Sequence, residues 1–442
     1  MRARDAFAGA VLRDRERTQQ QGAAASVKRL TEQHLPSLLQ WRQTTLLMSA
    51  PTPRRTWQIS SEVILGCWHP IMADNLVSVV IPAFNAADTI RETLASVSQQ
   101  TYENLDIIVV DDGSTDDTGA IVQRHCQCDP RIRLIRKSNG GVASARNAGI
   151  QSSRGMFVAL IDADDLWHPT KIAKQMTALL AGGPETALAY SPFRVIDVDG
   201  KVISSSRRFG ASGWVLYRHF HANLIGNGSS ILVRKEVLME LGGFDPRLRE
   251  AGAEGCEDLL LQLRIAARYR FAEVPEYLVG YRRRPGSMSS NTEQMIRSGV
   301  LAESIALLEC RDVPHLSNDA ILSRYEWQRL RCAARQGQIG DTLRHFWRQF
   351  SVNPGLTSAA FWNDLLLVAT RLSDLVRPSG WLWQSTKASP TARHFYDFDP
   401  LSGIDRPRPV SRAVRRLALL DQTYRPKTKP ADPQHSFRGA DI

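Results

Sequence analysis

Between residues 76 and 161, strand-sized apolar runs alternate with amphipathic stretches at a steady interval, and this alternation constrains the fold more than any other feature of the sequence. Leu76-Val77-Ser78-Val79-Val80-Ile81 has the unbroken apolar pattern of a strand buried on both faces, closed by Pro82. Ile90, Leu94 and Val97 recur at helical spacing between Asp88 and Gln100, and Asp106-Ile107-Ile108-Val109-Val110 reads as a second strand. A helix from Asp117 to Cys126 then leads to the strand Ile132-Arg133-Leu134-Ile135. Asn139-Gly140-Gly141 opens a helix from Ala143 to Ile150, and Met156-Phe157-Val158-Ala159-Leu160-Ile161 is the fourth strand. Repeated strand–helix–strand units predict an α/β fold: a doubly wound, mostly parallel sheet with helices on both faces. Such sheets bind their ligands beyond the carboxyl ends of the strands.

After Asp165 the pattern loosens into a helix from Pro169 to Ala181, a strand near Ala187 to Tyr190 and a hairpin signal at Val198-Asp199-Gly200-Lys201. Residues 75–296 therefore read as one α/β domain. Residues 297–380 read as a helical extension, with Ala302/Ile305/Leu308 and Leu343/Phe346/Phe350 as apolar faces. The Pro-, Arg- and Asp-rich residues 381–442 read as a loosely ordered basic tail, and the Gln- and Arg-rich residues 1–74 as a poorly ordered segment. Met72 stands just before the first strand and is the expected start of translation, which makes the upstream segment a misassigned start.

Composition narrows the class. With 43% hydrophobic residues the chain is too apolar to be intrinsically disordered, and 29 Gly and 22 Pro in 442 residues are too few for a collagen-like fibre. No apolar run approaches the length of a membrane-spanning helix, and the charged Arg13-Asp14-Arg15-Glu16-Arg17 is unlike the apolar core of a secretory signal, so the expected compartment is the cytoplasm. Six cysteines without C-x-x-C spacing point to reduced thiols rather than a disulfide framework or structural zinc. The net charge is +11, yet acidic and basic residues balance within 75–296, and the basic excess lies in the two flanks. A nucleic-acid-binding core would carry that excess itself, so no nucleic-acid partner is expected. Basic flanks suit peripheral contact with anionic lipid at the inner face of the membrane, and equally a plain solvated surface.

Acidic clusters fall where a doubly wound sheet places its ligand. Asp111-Asp112-Gly113-Ser114 ends the second strand and Asp162-Ala163-Asp164-Asp165 the fourth. Alternate side chains at a strand end point the same way, so Asp162 and Asp164 can face one Mg²⁺ or Mn²⁺; an isolated D-x-D is more often a pair of turn residues. A hard cation held by one or two carboxylates completes its shell with phosphate oxygens and water, which makes a diphosphate the implied ligand. Asp111 is placed to accept a hydrogen bond from a base N–H, and Phe84 to offer that base an apolar face; strand-end capping and core packing are the alternatives. The third cluster, Glu254-Gly255-Cys256-Glu257-Asp258, leads into an apolar helix. Carboxylates there cap a helix N-terminus, or one of them takes a proton from an attacking hydroxyl.

Taken in order, Val79-Val80-Ile81-Pro82-Ala83-Phe84-Asn85, Val109-Val110-Asp111-Asp112-Gly113-Ser114-Thr115-Asp116, Ala145-Arg146-Asn147-Ala148-Gly149 and Asp162-Ala163-Asp164-Asp165 resemble the family 2 glycosyltransferases. Gly242-Gly243-Phe244-Asp245, Glu257-Asp258 and the stretch from Tyr281 to Ser289 continue the resemblance, which covers residues 75 to 292. It implies a GT-A fold and inverting transfer from a nucleotide sugar. By motif position, Pro82, Ala83, Phe84, Asn85, Asp111, Asp162, Ala163 and Arg284 would line the nucleotide-sugar site. Asp164 would hold the metal, with Asp162 beside the ribose or a metal-bound water, and Asp258 would be the base. Arg284 stands where the family often has histidine; a guanidinium cannot ligate a cation and would supply charge to the phosphates. Gly226-Asn227-Gly228-Ser229-Ser230 resembles the loop lining the family's donor and acceptor pocket, or is a plain turn. Arg146-Asn147 either stabilises a helix near the nucleotide or is purely structural.

The expected function is a metal-dependent, inverting glycosyltransferase. It would move a sugar from a nucleotide-diphosphate sugar, by default a UDP-sugar, to a glycan or lipid-linked acceptor in cell-surface polysaccharide or glycolipid synthesis. A catalytically silent nucleotide-sugar-binding protein is the competing class. A phospho-accepting signalling module is a third, and acidic sites extending from Asp111 to Asp258 exceed what so small a domain would span.

Overall fold

The chain runs β1 (Val77–Ala83), α1 (Ile90–Ser98), β2 (Leu105–Asp111), α2 (Thr118–Cys128), β3 (Ile132–Arg136), α3 (Val142–Ser152) and β4 (Phe157–Leu160). It continues through β5 (Leu166–Trp167), α4 (Lys171–Ala181), β6 (Thr186–Tyr190), β7 (Phe193–Ile196), β8 (Val202–Ser205), α5 (Leu216–His221), β9 (Ile231–Arg234) and α6 (Lys235–Glu240). The remaining elements are α7 (Arg247–Glu250), α8 (Glu257–Ala266), β10 (Arg270–Glu273), β11 (Val279–Arg282), α9 (Thr292–Glu309), α10 (Asn318–Arg335) and α11 (Arg412–Thr423). This computed structural model describes residues 75–284, 286–310, 318–335, 338, 340, 341, 344, 345, 347, 348, 392–402 and 412–424. Residues 1–74, Met72 and the Leu343/Phe346/Phe350 face lie outside them.

The large sheet has the strand order β10-β6-β9-β4-β1-β2-β3. β4, β1, β2 and β3 are parallel, as the alternation predicts, and β9 runs antiparallel between β4 and β6. Val77, Val79 and Ile81 point to one face of the sheet, where α1, α2 and α4 pack through Ile90, Leu94, Val122 and Ile172. Val80, Ile108 and Val110 point to the other, against α3, α5 and α8. The sheet is thus a buried α/β layer with helices on both sides. A smaller sheet, β5-β11-β7-β8, includes the hairpin expected around Val198 to Lys201, as β7 and β8 pair antiparallel.

β1 does not close at Pro82 but runs through it to Ala83. The pairing of β1 with β4 ends at Val80↔Leu160, so the proline, which lacks an N–H, falls where that side of the strand no longer has a partner. Its other neighbour, β2, stays paired as far as Ala83↔Asp111.

α9 and α10 are not a separate layer. Ile296, Ala302 and Ala306 of α9, with Ile321 and Tyr325 of α10, join the core cluster that contains Val80 and Ile108. Leu308, expected on the apolar face, is 56% exposed, because α9 buries the row through Gly299, Ala302, Glu303 and Ala306 instead. A Cβ on Gly299 would lie 2.2 Å from the Tyr325 hydroxyl, so α10 sits where only a glycine leaves room. Among the described residues of 381–442, read as loosely ordered, two are anchored in the fold. Phe395 is buried with Leu166 and Ile196, and Asp421 of α11 is fully buried, accepting from Tyr217 N at 2.8 Å and Arg218 Nε at 2.6 Å. Among the described residues no helix is long and apolar enough to cross a membrane.

Candidate active site

The chain winds from β1 through β2 to β3 on one side and returns to β4 on the other, so the order reverses between β1 and β4. The carboxyl ends of β1, β2 and β4 therefore open a crevice at that switch point. Ala83 and Asp111 are register partners at its rim, and Pro82 and Ala83 are buried strand residues. Phe84, 51% exposed, follows at the tip. Asn85 has a left-handed φ of 48° and is tied to the second loop, donating from its N–H to Ser114 Oγ at 3.0 Å and accepting from Thr115 N at 2.9 Å. Asp111 is buried, accepts from Ser114 N at 2.9 Å and lies 4.0 Å from Arg136 Nε. Asp112 is occupied structurally: Lys137 Nζ at 2.6 Å and Gly141 N at 2.7 Å converge on its carboxylate.

Beyond β4, the carboxylates of Asp162 and Asp164 each hold an arginine. Arg146 Nη2 donates to Asp162 Oδ1 at 2.6 Å, and Arg284 Nη2 lies 3.2 Å from Asp164 Oδ2. Burial, reinforced by Asp162, raises the Asp164 carboxyl above the usual range, while Arg284 and Arg282 pull it back. Asp165 is fully buried and accepts from Ser229 Oγ at 2.5 Å and Arg282 N at 2.8 Å; burial and then its two acidic neighbours push it well above the usual range. Ala163, buried between the carboxylates, gives its carbonyl to Thr89 Oγ1 at 2.9 Å, which fastens the turn to α1. Among the described residues no three His, Cys, Asp or Glu side chains converge on a metal position. Two carboxylates, with one oxygen of each not committed to an arginine, still fit a Mg²⁺ or Mn²⁺ that completes its shell with phosphate and water.

The stretch from Ala145 to Gly149 divides its labour. Arg146, buried on α3, reaches the site and stacks its guanidinium 5.1 Å from the Phe244 ring centroid. Asn147 faces away, donating to Phe244 O at 2.7 Å and accepting from Phe244 N at 2.8 Å. Gly149 seats α3 on β1: a Cβ there would lie 2.3 Å from Val80 Cγ1.

The third acidic cluster also separates. Glu254 lies 3.5 Å from Arg249 Nε, and Glu257, buried, accepts from Gly255 N at 3.0 Å. Asp258, in the first turn of α8, accepts from Leu259 N at 2.8 Å and from no other group among the described residues. Its carboxyl is raised to about 6, chiefly by burial, with Arg146 opposing and Glu257 and Asp162 adding to the rise. The shared influence of Arg146 ties Asp258 to the Asp162 end of the crevice.

Five residues position the site; Trp167, Gln175 and Lys171 carried no signal of that role in the sequence, and Arg282 and Ser229 lay in motif stretches without being singled out. Arg282, on β11, donates to Asp164 O at 2.7 Å, Val198 O at 2.5 Å and Glu92 Oε2 at 2.6 Å, binding the D-x-D turn to α1 and the small sheet. Ser229 accepts from Asp162 N at 3.0 Å while donating to Asp165. Its loop is clamped through consecutive carbonyls: Trp167 Nε1 to Ser229 O at 2.9 Å, Gln175 Nε2 to Ser230 O at 2.7 Å and Lys171 Nζ to Ile231 O at 3.4 Å. The loop from Gly226 to Ser230 is therefore built into the crevice wall, and a Cβ on Gly228 would stand 3.1 Å from Arg146 Nη2.

Residues 78–241 match the family described as "Glycosyl transferase family 2". Among curated proteins, one named "Uncharacterized glycosyltransferase" from Rickettsia bellii (strain RML369-C) is 36% identical over 143 residues, 32% of this chain and 20% of that protein. "Uncharacterized glycosyltransferase YibD" from Escherichia coli (strain K12) is 41% identical over 106 residues, 24% of this chain and 31% of that protein. The chain thus spans less than a third of the length of these two relatives. The crystal structure of S. aureus TarS 1-349 in complex with UDP-GlcNAc aligns with 63% of this chain and 81% of its own, at 18% identity and a TM-score of 0.47.

Proposed function

We infer that this chain, whose residues 78–241 belong to glycosyl transferase family 2, transfers a sugar from a nucleotide-diphosphate sugar to a hydroxyl acceptor with inversion at the anomeric carbon. The observation that carries the reading is the grouping of Asp258, its carboxyl raised to about 6, with Arg146 and Asp162 at one end of the crevice. A carboxylate with that affinity for protons is ionised at neutral pH yet basic enough to take a hydroxyl proton.

In this reading the acceptor oxygen attacks the anomeric carbon as its proton passes to Asp258. The bond from that carbon to the diphosphate oxygen breaks, and the electron pair leaves with the nucleoside diphosphate. One base and one displacement give inversion without a covalent intermediate. Asp111 and Phe84 receive the base at the ends of β2 and β1, and Asp162 and Asp164 would hold Mg²⁺ or Mn²⁺, which supplies positive charge to the departing diphosphate when bound. A UDP-sugar is the donor we propose, with a glycan or lipid-linked acceptor of the cell surface. Exposed Arg416 and Leu419 on α11 support peripheral contact with the inner face of the membrane.

The test is turnover and binding of UDP-, GDP- and dTDP-sugars by the purified chain, with and without Mn²⁺. Release of one nucleoside diphosphate, lost in Asp258→Asn while that donor still binds, is the expected result. Binding without release by the native chain would make it a nucleotide-sugar-binding protein instead.

A further inference from the structure

Resting on the donor reading above, we propose that Arg284 is the group that takes hold of the donor diphosphate, leaving Asp164 as it does so, and that nucleoside diphosphates therefore bind this chain without a divalent cation. Each carboxylate of the D-x-D turn already has a guanidinium against it, Arg146 on Asp162 and Arg284 on Asp164. Each carboxylate that would hold a cation is thus already compensated, and a cation arriving alone must displace or share a guanidinium at both. A diphosphate meets two guanidinium groups, whose planar donor forks match phosphate oxygens.

Of the arginines on the D-x-D turn, Arg284 is the one free to move. Arg282 has a side chain 1% exposed and donates to Asp164 O, Asp197 O, Val198 O and Glu92 Oε2. Arg146 is 6% exposed and packed over Phe244. Arg284 is 32% exposed and, among the described residues, its one carboxylate contact is Asp164 and its buried Nε has no partner, so the pairing leaves the guanidinium short of acceptors. Transfer of Arg284 from carboxylate to phosphate exchanges one charge-assisted contact for another and at the same time releases Asp164. The diphosphate comes first, and the cation site is completed by its arrival.

Isothermal titration of the full chain with UDP, GDP and dTDP, in EDTA and in MnCl₂, tests this, with UMP as the control lacking the second phosphate. One nucleoside diphosphate is expected to bind the native chain in EDTA with affinity within about fivefold of that in Mn²⁺. Loss of a charge-assisted contact should weaken that binding about tenfold or more in Arg284→Ala, while UMP binding stays level. Arg284→His, which places a potential cation ligand beside Asp164, should bind the diphosphate only when Mn²⁺ is present. Circular dichroism and melting of each variant establish that it is folded. A native chain that binds nucleoside diphosphate only with Mn²⁺, or an Arg284→Ala chain that binds as the native one does in EDTA, overturns the role of Arg284 and leaves the glycosyltransferase reading standing. A native chain that binds none of the nucleotides under either condition overturns both.

Discussion

Arg146 and Asp162 meet at 2.6 Å although one rises from the middle of α3 and the other follows the end of β4. The guanidinium is the more buried partner, 6% exposed against 30% for the carboxylate, so the ion pair opens toward the crevice on its acidic side. The same cation lowers the proton affinity of Asp258 and couples the proposed base to the D-x-D turn.

Asp258→Asn should remove the base and leave the donor site. We expect kcat to fall about a hundredfold or more, with little change in donor KM. In the native chain the base acts when ionised, so kcat should rise as pH increases through about 6 and then level off. Steady-state kinetics from pH 5 to 8 check both; a flat profile would remove Asp258 from the chemistry.

Arg146→Met should move that profile. Arg146 opposes the rise of the Asp258 carboxyl, so its removal raises the affinity for the proton and shifts the midpoint of the rising limb above 6. A midpoint that stays or falls, in a variant with a native circular dichroism spectrum, would uncouple the two residues.

What the sequence made legible was what local pattern determines. β1, β2 and β4 were readable because each apolar run is buried on both faces, β3 because Ile132, Leu134 and Ile135 keep an apolar pattern on a partly exposed edge strand, and the D-x-D turn because it follows a buried run. Gly149 was visible in a motif, but only packing explains it, since Val80 occupies the space a Cβ would need. Lys171 was silent, and the stretches holding Arg282 and Ser229 showed nothing of their partners, because that work is done across long sequence separations: Arg282 meets Glu92 and Asp165, and Ser229 meets Asp162. Helical spacing alone also misjudged Leu308, since the buried row of α9 follows from where α10 sits, which no local pattern encodes.

Lys171 is fully buried with its ammonium 3.7 Å from the Trp167 ring centroid, and burial holds it well below the usual lysine range. A lysine depressed in the folded state favours folding at high pH, above the unfolded value near about 10.4, and this contribution is lost as pH falls toward the folded value. Lys171→Met keeps the stem and removes the titration. It should be more stable than the native chain by about 1 kcal/mol or more at pH 6, with the gap narrowing toward pH 10. Urea unfolding at the two pH values measures it, and a variant less stable at pH 6 would show that the contact with Ile231 O outweighs the burial of charge.

Ser229 and Ser230 are adjacent, both fully buried, and should respond oppositely to the same change. Ser229 Oγ donates to Asp165 Oδ2 at 2.5 Å and accepts from Asp162 N at 3.0 Å, so Ser229→Ala leaves a buried carboxyl oxygen and a backbone N–H of the D-x-D turn without that partner. The cost should be about 1–3 kcal/mol, accompanied by weaker donor binding as the turn loosens. Among the described residues Ser230 Oγ has no hydrogen-bond partner, so Ser230→Ala removes an unsatisfied polar atom and should be neutral or slightly stabilising. Urea midpoints of the two variants separate the readings: equal losses would mean that the loop is sensitive to any lost volume and that the link from Ser229 to the D-x-D turn is not what holds it.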